Sequence, residues 1–180
     1  PAAVNSRVNI CQRVVDLIHG ALAGVVPGMV TAAGNGSCTA AMFAGTQADG
    51  QAWGYLETIG GGMGARQGKD GLDGVHVHLT NTSNLPAESL EQEYPLTLLR
   101  YELVQNSGGA GQYRGGMGLR RVYRAEADCR LAITGSRIRH APWGLAGGQE
   151  GGRGAVHFAG GMQPFAANSG ALRAGDIVEI

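Results

Sequence analysis

Three neighbouring stretches decide how this chain is read: Glu57-Thr-Ile-Gly-Gly-Gly-Met-Gly-Ala-Arg66, then Asp70-Gly-Leu-Asp-Gly-Val-His-Val-His78 continuing into Thr80-Asn-Thr-Ser-Asn-Leu-Pro-Ala-Glu88, and finally Asn106-Ser-Gly-Gly-Ala-Gly-Gln-Tyr-Arg-Gly-Gly-Met-Gly118. Two glycine clusters bracket most of the residues able to do chemistry. Glycine reaches positive φ and lets other groups approach the backbone, so the clusters predict folded loops that enclose a site. A flexible linker would be Gly/Ser-rich and featureless, whereas these glycines alternate with Met, Arg, Tyr and acids.

Outward from that centre, the alternation over residues 75–80 predicts a strand, and Pro86 followed by early acids predicts a short helix over 86–93. Residues 38–45 and 51–58 predict a hairpin across Gln47-Ala-Asp-Gly50. Over residues 96–104 the pattern places Leu99, Tyr101 and Leu103 on a buried side and Arg100 with Glu102 on the other. Residues 119–125 and 129–134 predict two more strands closed by a short turn, and further strands fall near 155–158 and 176–180. From residue 6 to 26, Val8, Cys11, Val15, Ile18, Leu22 and Val25 recur every three or four positions, which predicts a helix stopped by Pro27-Gly28. The fold class is therefore α+β: mostly antiparallel strands, one long N-terminal helix and glycine-rich loops.

The chain of 180 residues suits one domain or a large piece of one, burying roughly 70% of its unfolded surface. Its net charge is zero, so no global field draws it to nucleic acid or anionic lipid. Cys11, Cys38 and Cys129 are odd in number and far apart. They suggest neither a disulfide framework nor a cysteine zinc site, and favour a reducing, cytoplasmic setting. The most apolar run, residues 14–26, is shorter than the roughly 20 residues a membrane span requires. Pro1 at one end and a strand-like Gly175-Asp-Ile-Val-Glu-Ile180 at the other suggest a fragment.

Glycine-rich loops invite a test for phosphate binding. Gly68-Lys69 lacks both the earlier glycine and the following Ser or Thr of a phosphate loop, and Gly60-x-Gly62-x-x-Ala65 imitates a dinucleotide fingerprint with no credible helix after it. No G-x-S-x-G elbow surrounds any serine. On a strand, His76 and His78 would point to one face and share a metal or a polar substrate. With no third ligand at a diagnostic spacing, a hydrogen-bonded surface strand is the plainer account. Asn84 suits a helix cap, with Glu88 in the first turn. Arg66 and Arg114, inside the glycine clusters, are placed to clamp a substrate carboxylate or pair with an acid such as Glu57, Glu88 or Glu91. The Arg137, Arg139 and His140 group before Trp143 suits an interface or a solvated loop. His19 and His157 read as structural.

Taken together, Pro1-Ala-Ala-Val-Asn-Ser-Arg7, the Glu57 to Arg66 run, the Asp-Gly-Val-His-Val-His-Leu-Thr-Asn-Thr-Ser-Asn-Leu-Pro-Ala-Glu run, Asn106-Ser-Gly-Gly-Ala-Gly-x-x-Arg-Gly-Gly-x-Gly118 and Pro142-Trp-Gly144 resemble the hydantoinase B/oxoprolinase family across essentially the whole chain. The resemblance implies that residues 1–180 are the C-terminal portion of a B-type subunit. Such a subunit works with an A-type partner that binds ATP, and opens a hydantoin or 5-oxoproline type ring. It implies a divalent metal in the N-terminal half, so no metal ligand is assigned within this chain, and the piece alone is expected to be inactive. The expected partners are the A-type subunit, the N-terminal half of its own subunit and a small cyclic amide. Alternatives are a ketone carboxylase subunit of the same family and a non-catalytic scaffold for subunit docking. Candidate catalytic residues, from side-chain chemistry, are His76 or His78 as proton carrier, Asn81, Asn84 and Arg114 to stabilise negative charge, and Glu88 beside them.

Overall fold

The structure, a computed structural model, describes residues 4–159 and 169–180. The element order is α1 (Val4–Leu22), β1 (Thr39–Thr46), β2 (Ala52–Ile59), α2 (Ala87–Glu93), β3 (Leu96–Leu103), β4 (Leu119–Ala125), β5 (Cys129–Thr134), β6 (His157–Phe158), β7 (Ser169–Leu172) and β8 (Ile177–Glu179). The strands form two four-stranded sheets, ordered β2-β1-β5-β7 and β3-β4-β8-β6. Each pairing is antiparallel.

The β1–β2 hairpin closes where Asp-Gly stands. Gln47 N–H donates to the Gln51 carbonyl at 2.8 Å, and Gly50 takes φ +87°, a conformation that a side chain would strain. Along β2 the alternate residues Trp53, Tyr55, Glu57 and Ile59 are buried. Their sheet meets the second sheet and the end of α2 through aromatic contacts: Phe43 of β1 lies 5.2 Å from Tyr123 of β4, and Tyr55 lies 5.0 Å from Tyr94, which follows α2, ring centre to ring centre. Leu131, Leu172, Leu90, Leu96 and Val178 fill the remaining core, so both sheets and α2 bury one apolar face each against the others.

Several expectations need correction. Residues 75–80 are not a strand: only Val75 pairs, through an isolated bridge to Gly61. Gly74 at φ +59° and His78 at φ +60° turn the chain on both sides of it. The strands β4 and β5 do not form a hairpin but belong to different sheets, β5 joining β1 and β4 joining β3. Leu99, Tyr101 and Leu103 are exposed, as are Arg100 and Glu102 between them: beyond the register shift between Leu98 and Arg100, neither face of this edge strand is buried. The strand β7 has no counterpart in the sequence reading.

The helix α1 ends at Leu22 rather than Val26. Val25 and Val26 N–H groups both reach back to the Leu22 carbonyl at 2.9 Å, a tightened exit that suits a chain approaching Pro27. Its apolar stripe also faces the other way from a core helix. Gln12 and Asp16 are buried, while Ile10, Val14, Leu17, Ile18 and Leu22 are exposed. Among the described residues no helix is long and apolar enough to cross a membrane.

The glycine clusters fold as layered main chain. Asn35 N–H donates to the Gly62 carbonyl at 2.9 Å, Met63 N–H to Leu72 at 2.9 Å, and Gly116 N–H to Met63 at 2.9 Å. A Cβ built on Gly62 would lie 1.9 Å from the Gly116 carbonyl oxygen, and one on Gly116 would lie 1.9 Å from that of Leu72. Three loops distant in sequence therefore touch backbone to backbone, which only glycine allows.

Candidate functional site

Both glycine clusters line a cavity of about 660 Å³. Asn35, Met63, Tyr113, Arg137 and Trp143 also contribute to its wall. None of the six residues singled out above lines it. The expectation that the clusters enclose a pocket is met by geometry, while the proposed chemistry lies elsewhere.

Two of the six, His76 and Asn84, gather instead around a buried ion pair. Arg121 Nη1 donates to Glu57 Oε2 at 2.8 Å, and both side chains are almost wholly buried. The same oxygen accepts the Tyr55 hydroxyl. Asn84 Nδ2 donates to Glu57 Oε1 at 3.0 Å and to the Thr58 carbonyl at 3.1 Å, and the Tyr101 hydroxyl donates to Asn84 Oδ1 at 2.7 Å. Arg121 also donates to the Tyr123 hydroxyl at 3.0 Å, and its guanidinium lies 4.1 Å from the centre of the Tyr101 ring. Asn84 is therefore not the cap of α2. That position is Pro86, whose side chain has no group able to cap, while the Asn84 amide is engaged by β2 and β3.

The electrostatics follow from this packing. Burial works against the Arg121 cation, yet Tyr123, Tyr101 and Glu57 together hold its pKa above the ordinary value. Burial pushes the Tyr123 hydroxyl up to about 12. The Tyr55 hydroxyl is raised as well, first by burial and then by its bond to Glu57. Both phenols are thus donors at neutral pH. Three donors thus converge on the Glu57 carboxylate and fix its orientation.

His76 borders this network. Its Nε2 lies 3.2 Å from the Thr82 hydroxyl, which in turn lies 2.7 Å from that of Thr58. His76 Nδ1 and Arg121 Nε are buried without a hydrogen-bond partner among the described residues. Burial lowers the His76 pKa below 6.5; Glu57 opposes that shift and Arg121 adds to it. The folded protein therefore binds this proton less readily than the unfolded chain, so stability is lost as pH falls through the unfolded value and levels off below the folded one. Between about pH 7.5 and about pH 5.5 the urea midpoint should fall further for the natural protein than for His76→Gln. Equal falls would show that this imidazole does not carry the effect.

His78 belongs to another cluster, so the two imidazoles do not share a face. Its Nε2 lies 3.2 Å from Asp16 Oδ1, while Arg137 Nη2 donates to Asp16 Oδ2 at 2.6 Å. Arg13 contacts Asp16 and donates to Ser136. The His19 ring lies 6.1 Å from that of His78, edge to face, with its Nδ1 2.9 Å from the Thr31 hydroxyl. This cluster fastens α1 to the glycine-rich loops. Arg137, read as an interface or solvated-loop residue, is one of its central members.

The remaining three candidates are peripheral. Arg114 pairs through both guanidinium nitrogens with Asp73, at 2.8 Å and 3.0 Å, rather than with Glu57, Glu88 or Glu91. It is exposed. The pairing raises the Arg114 pKa and lowers that of Asp73, which also accepts the Met117 N–H. The expected partner Glu57 is taken by Arg121, and Asp73 is brought to Arg114 by the layered loops. Asn81 is exposed at φ +45°, and Glu88 is exposed in the first turn of α2. Among the described residues no group of three or more His, Cys, Asp or Glu is placed to hold a metal ion.

The Glu57–Arg121 pair was the feature missed. Its signal was present: Glu57 follows Trp53 and Tyr55 in the inward register of one strand, and Arg121 sits between Leu119 and Tyr123 in another. Opposite charges in two apolar registers mark a buried pair between sheets.

The profile of one family, hydantoinase B/oxoprolinase, matches residues 1–180. An uncharacterized protein of Methanocaldococcus jannaschii is 46% identical over 185 aligned residues, covering 100% of this chain and 32% of that protein. The B-type chain of a putative D-/L-hydantoinase from a Pseudomonas species is 39% identical over 151 residues, covering 84% of this chain and 25% of that one. ATP-dependent caprolactamase from Pseudomonas jessenii shares the fold, with a TM-score of 0.66 at 20% identity over 88% of this chain and 30% of its own. The chain thus spans about a third or less of the length of these relatives. With the family profile matched over every residue, the chain belongs to the hydantoinase B/oxoprolinase family.

Proposed function

We propose that these residues are the C-terminal portion of a B-type subunit that opens a small cyclic amide, of the hydantoin or 5-oxoproline kind, together with an A-type partner that binds ATP in the cytoplasm. The observation that carries this reading is the family match over residues 1–180. An amide carbonyl is a weak electrophile, and ATP supplies a phosphoryl group that makes its oxygen a good leaving group. Water must then add to the activated carbon with its proton accepted, and the ring C–N bond must break with a proton delivered to the leaving nitrogen, phosphate being released as the carbon becomes the free acid. Of the six candidates, His76 best fits that task. Burial favours its uncharged form, its Nε2 meets the Thr82 hydroxyl and its Nδ1 has no protein partner among the described residues. Asn84 serves this role indirectly by fixing Glu57 beside it. The divalent metal is assigned to the rest of the polypeptide.

The complete B-type chain, mixed with its A-type partner and ATP, should release ADP on adding hydantoin or 5-oxoproline and yield the ring-opened acid. Either chain alone should do neither. Incorporation of labelled bicarbonate into a ketone, with no ring opening, would replace this reading by the carboxylase one.

A further inference from the structure

We infer that the outward face of α1 is a docking surface for the additional part of the B-type polypeptide, the two-thirds or more that the relatives carry beyond the matched region. The inference rests on family membership and not on the proposed activity.

The helix is attached to the described structure by its polar side. Asn9 Oδ1 accepts the Cys38 N–H at 2.9 Å, Gln12 Nε2 donates to the Thr80 hydroxyl at 2.7 Å, and Asp16 is clasped by Arg137 and His78. These residues occupy the stripe that a helix on a soluble domain normally fills with Leu, Ile and Val. The apolar stripe points away: Ile10, Val14, Leu17, Ile18 and Leu22 are each between 41% and 70% exposed. Arg13 and Asp16, the two charges within this run, are turned inward onto each other and onto Ser136 and Arg137. From Ile10 to Leu22 the outer face therefore carries no charge, the exposed Arg7 lying one turn before it, and this apolar stretch resembles permanent interfaces rather than transient ones.

Size decides among the occupants. A helix of 19 residues is about 28 Å long, and a stripe about 10 Å wide on it offers about 300 Å². A second copy pairing through this stripe would fall well short of the roughly 800 Å² per partner of a stable interface. A segment of the same polypeptide needs no such area, because covalent connection removes the cost of association. The length of the relatives supplies that segment.

In the complete B-type chain, Leu17→Cys in a Cys11→Ser background should react with a maleimide at least about tenfold more slowly in the native state than in urea, since a covered side chain reacts only when the structure opens. Arg130→Cys, on the exposed side of β5, should react at similar rates in both states. Protection of Leu17→Cys should be present without the A-type partner and independent of protein concentration. Equal native and denatured rates would overturn the inference. Protection that appears only on adding the A-type partner would assign the face to that partner, and protection that grows with concentration would assign it to a second copy. Hydroxyl-radical footprinting of Leu17 and Ile18 in the unsubstituted chain gives the same discrimination if the cysteine variant fails to fold.

Discussion

Arg121→Ala is expected to lower the free energy of unfolding by about 3–5 kcal/mol, because it leaves Glu57 charged and buried without its cation. The loss is not one hydrogen bond. Arg121 also anchors the Tyr123 hydroxyl and lies against the Tyr101 ring, so the contacts joining β2, β3 and β4 loosen together. Glu57→Ala should cost a comparable amount by stranding the guanidinium. The double replacement Glu57→Leu with Arg121→Met should be far less damaging than the sum, since apolar groups of similar volume strand no charge. Urea denaturation of the four proteins closes the cycle. A loss below about 1 kcal/mol for Arg121→Ala would place this pair with solvated surface bridges, in conflict with its burial.

Gly62→Ala is expected to destabilise by about 3 kcal/mol or more, toward the upper end of what an added methyl group costs in a packed interior. At 1.9 Å from the Gly116 carbonyl oxygen, the new Cβ meets main chain rather than a side chain that can swing aside. Gly116 cannot retreat, because it presses in turn on Leu72. Gly24→Ala is the control. Nothing lies within 4 Å of its Cβ position and its φ is ordinary, so the change should stay within about 0.5 kcal/mol. Equal midpoints for the two variants would show that the layered loops yield more readily than their contacts imply.

What was legible in the sequence was local. Asp49-Gly50 marked the hairpin, and the period-two runs gave β4 and β5 their bounds. Their partners were not legible, because a short connection does not say whether the next strand joins the same sheet or crosses to the opposite one. Residues 75–80 alternated like a strand, yet strand formation needs a neighbouring backbone, and here only Gly61 offers one. In α1 the period identified residues sharing a side but not which side the protein would cover. His76 and Asn84 were legible as candidates from side-chain chemistry, whereas the Glu57–Arg121 pair that organises them required reading charge against strand register. Arg114 was drawn toward distant acids because the loop layering that brings Asp73 beside it has no local signature.

That layering also bears on how the chain reaches its final form. Asn35 waits for Gly62, Gly62 for Gly116, and Ser107 for Gly152, whose N–H it accepts at 2.7 Å. Each link closes a long excursion of chain, and glycine gives up the most backbone freedom on being fixed. A topology dominated by such distant pairings folds slowly. The sheets, with their hairpin and hydrophobic faces, can assemble first. The glycine loops would then consolidate last, making their closure the slow step of maturation and the interval in which newly made chains are most exposed to proteolysis.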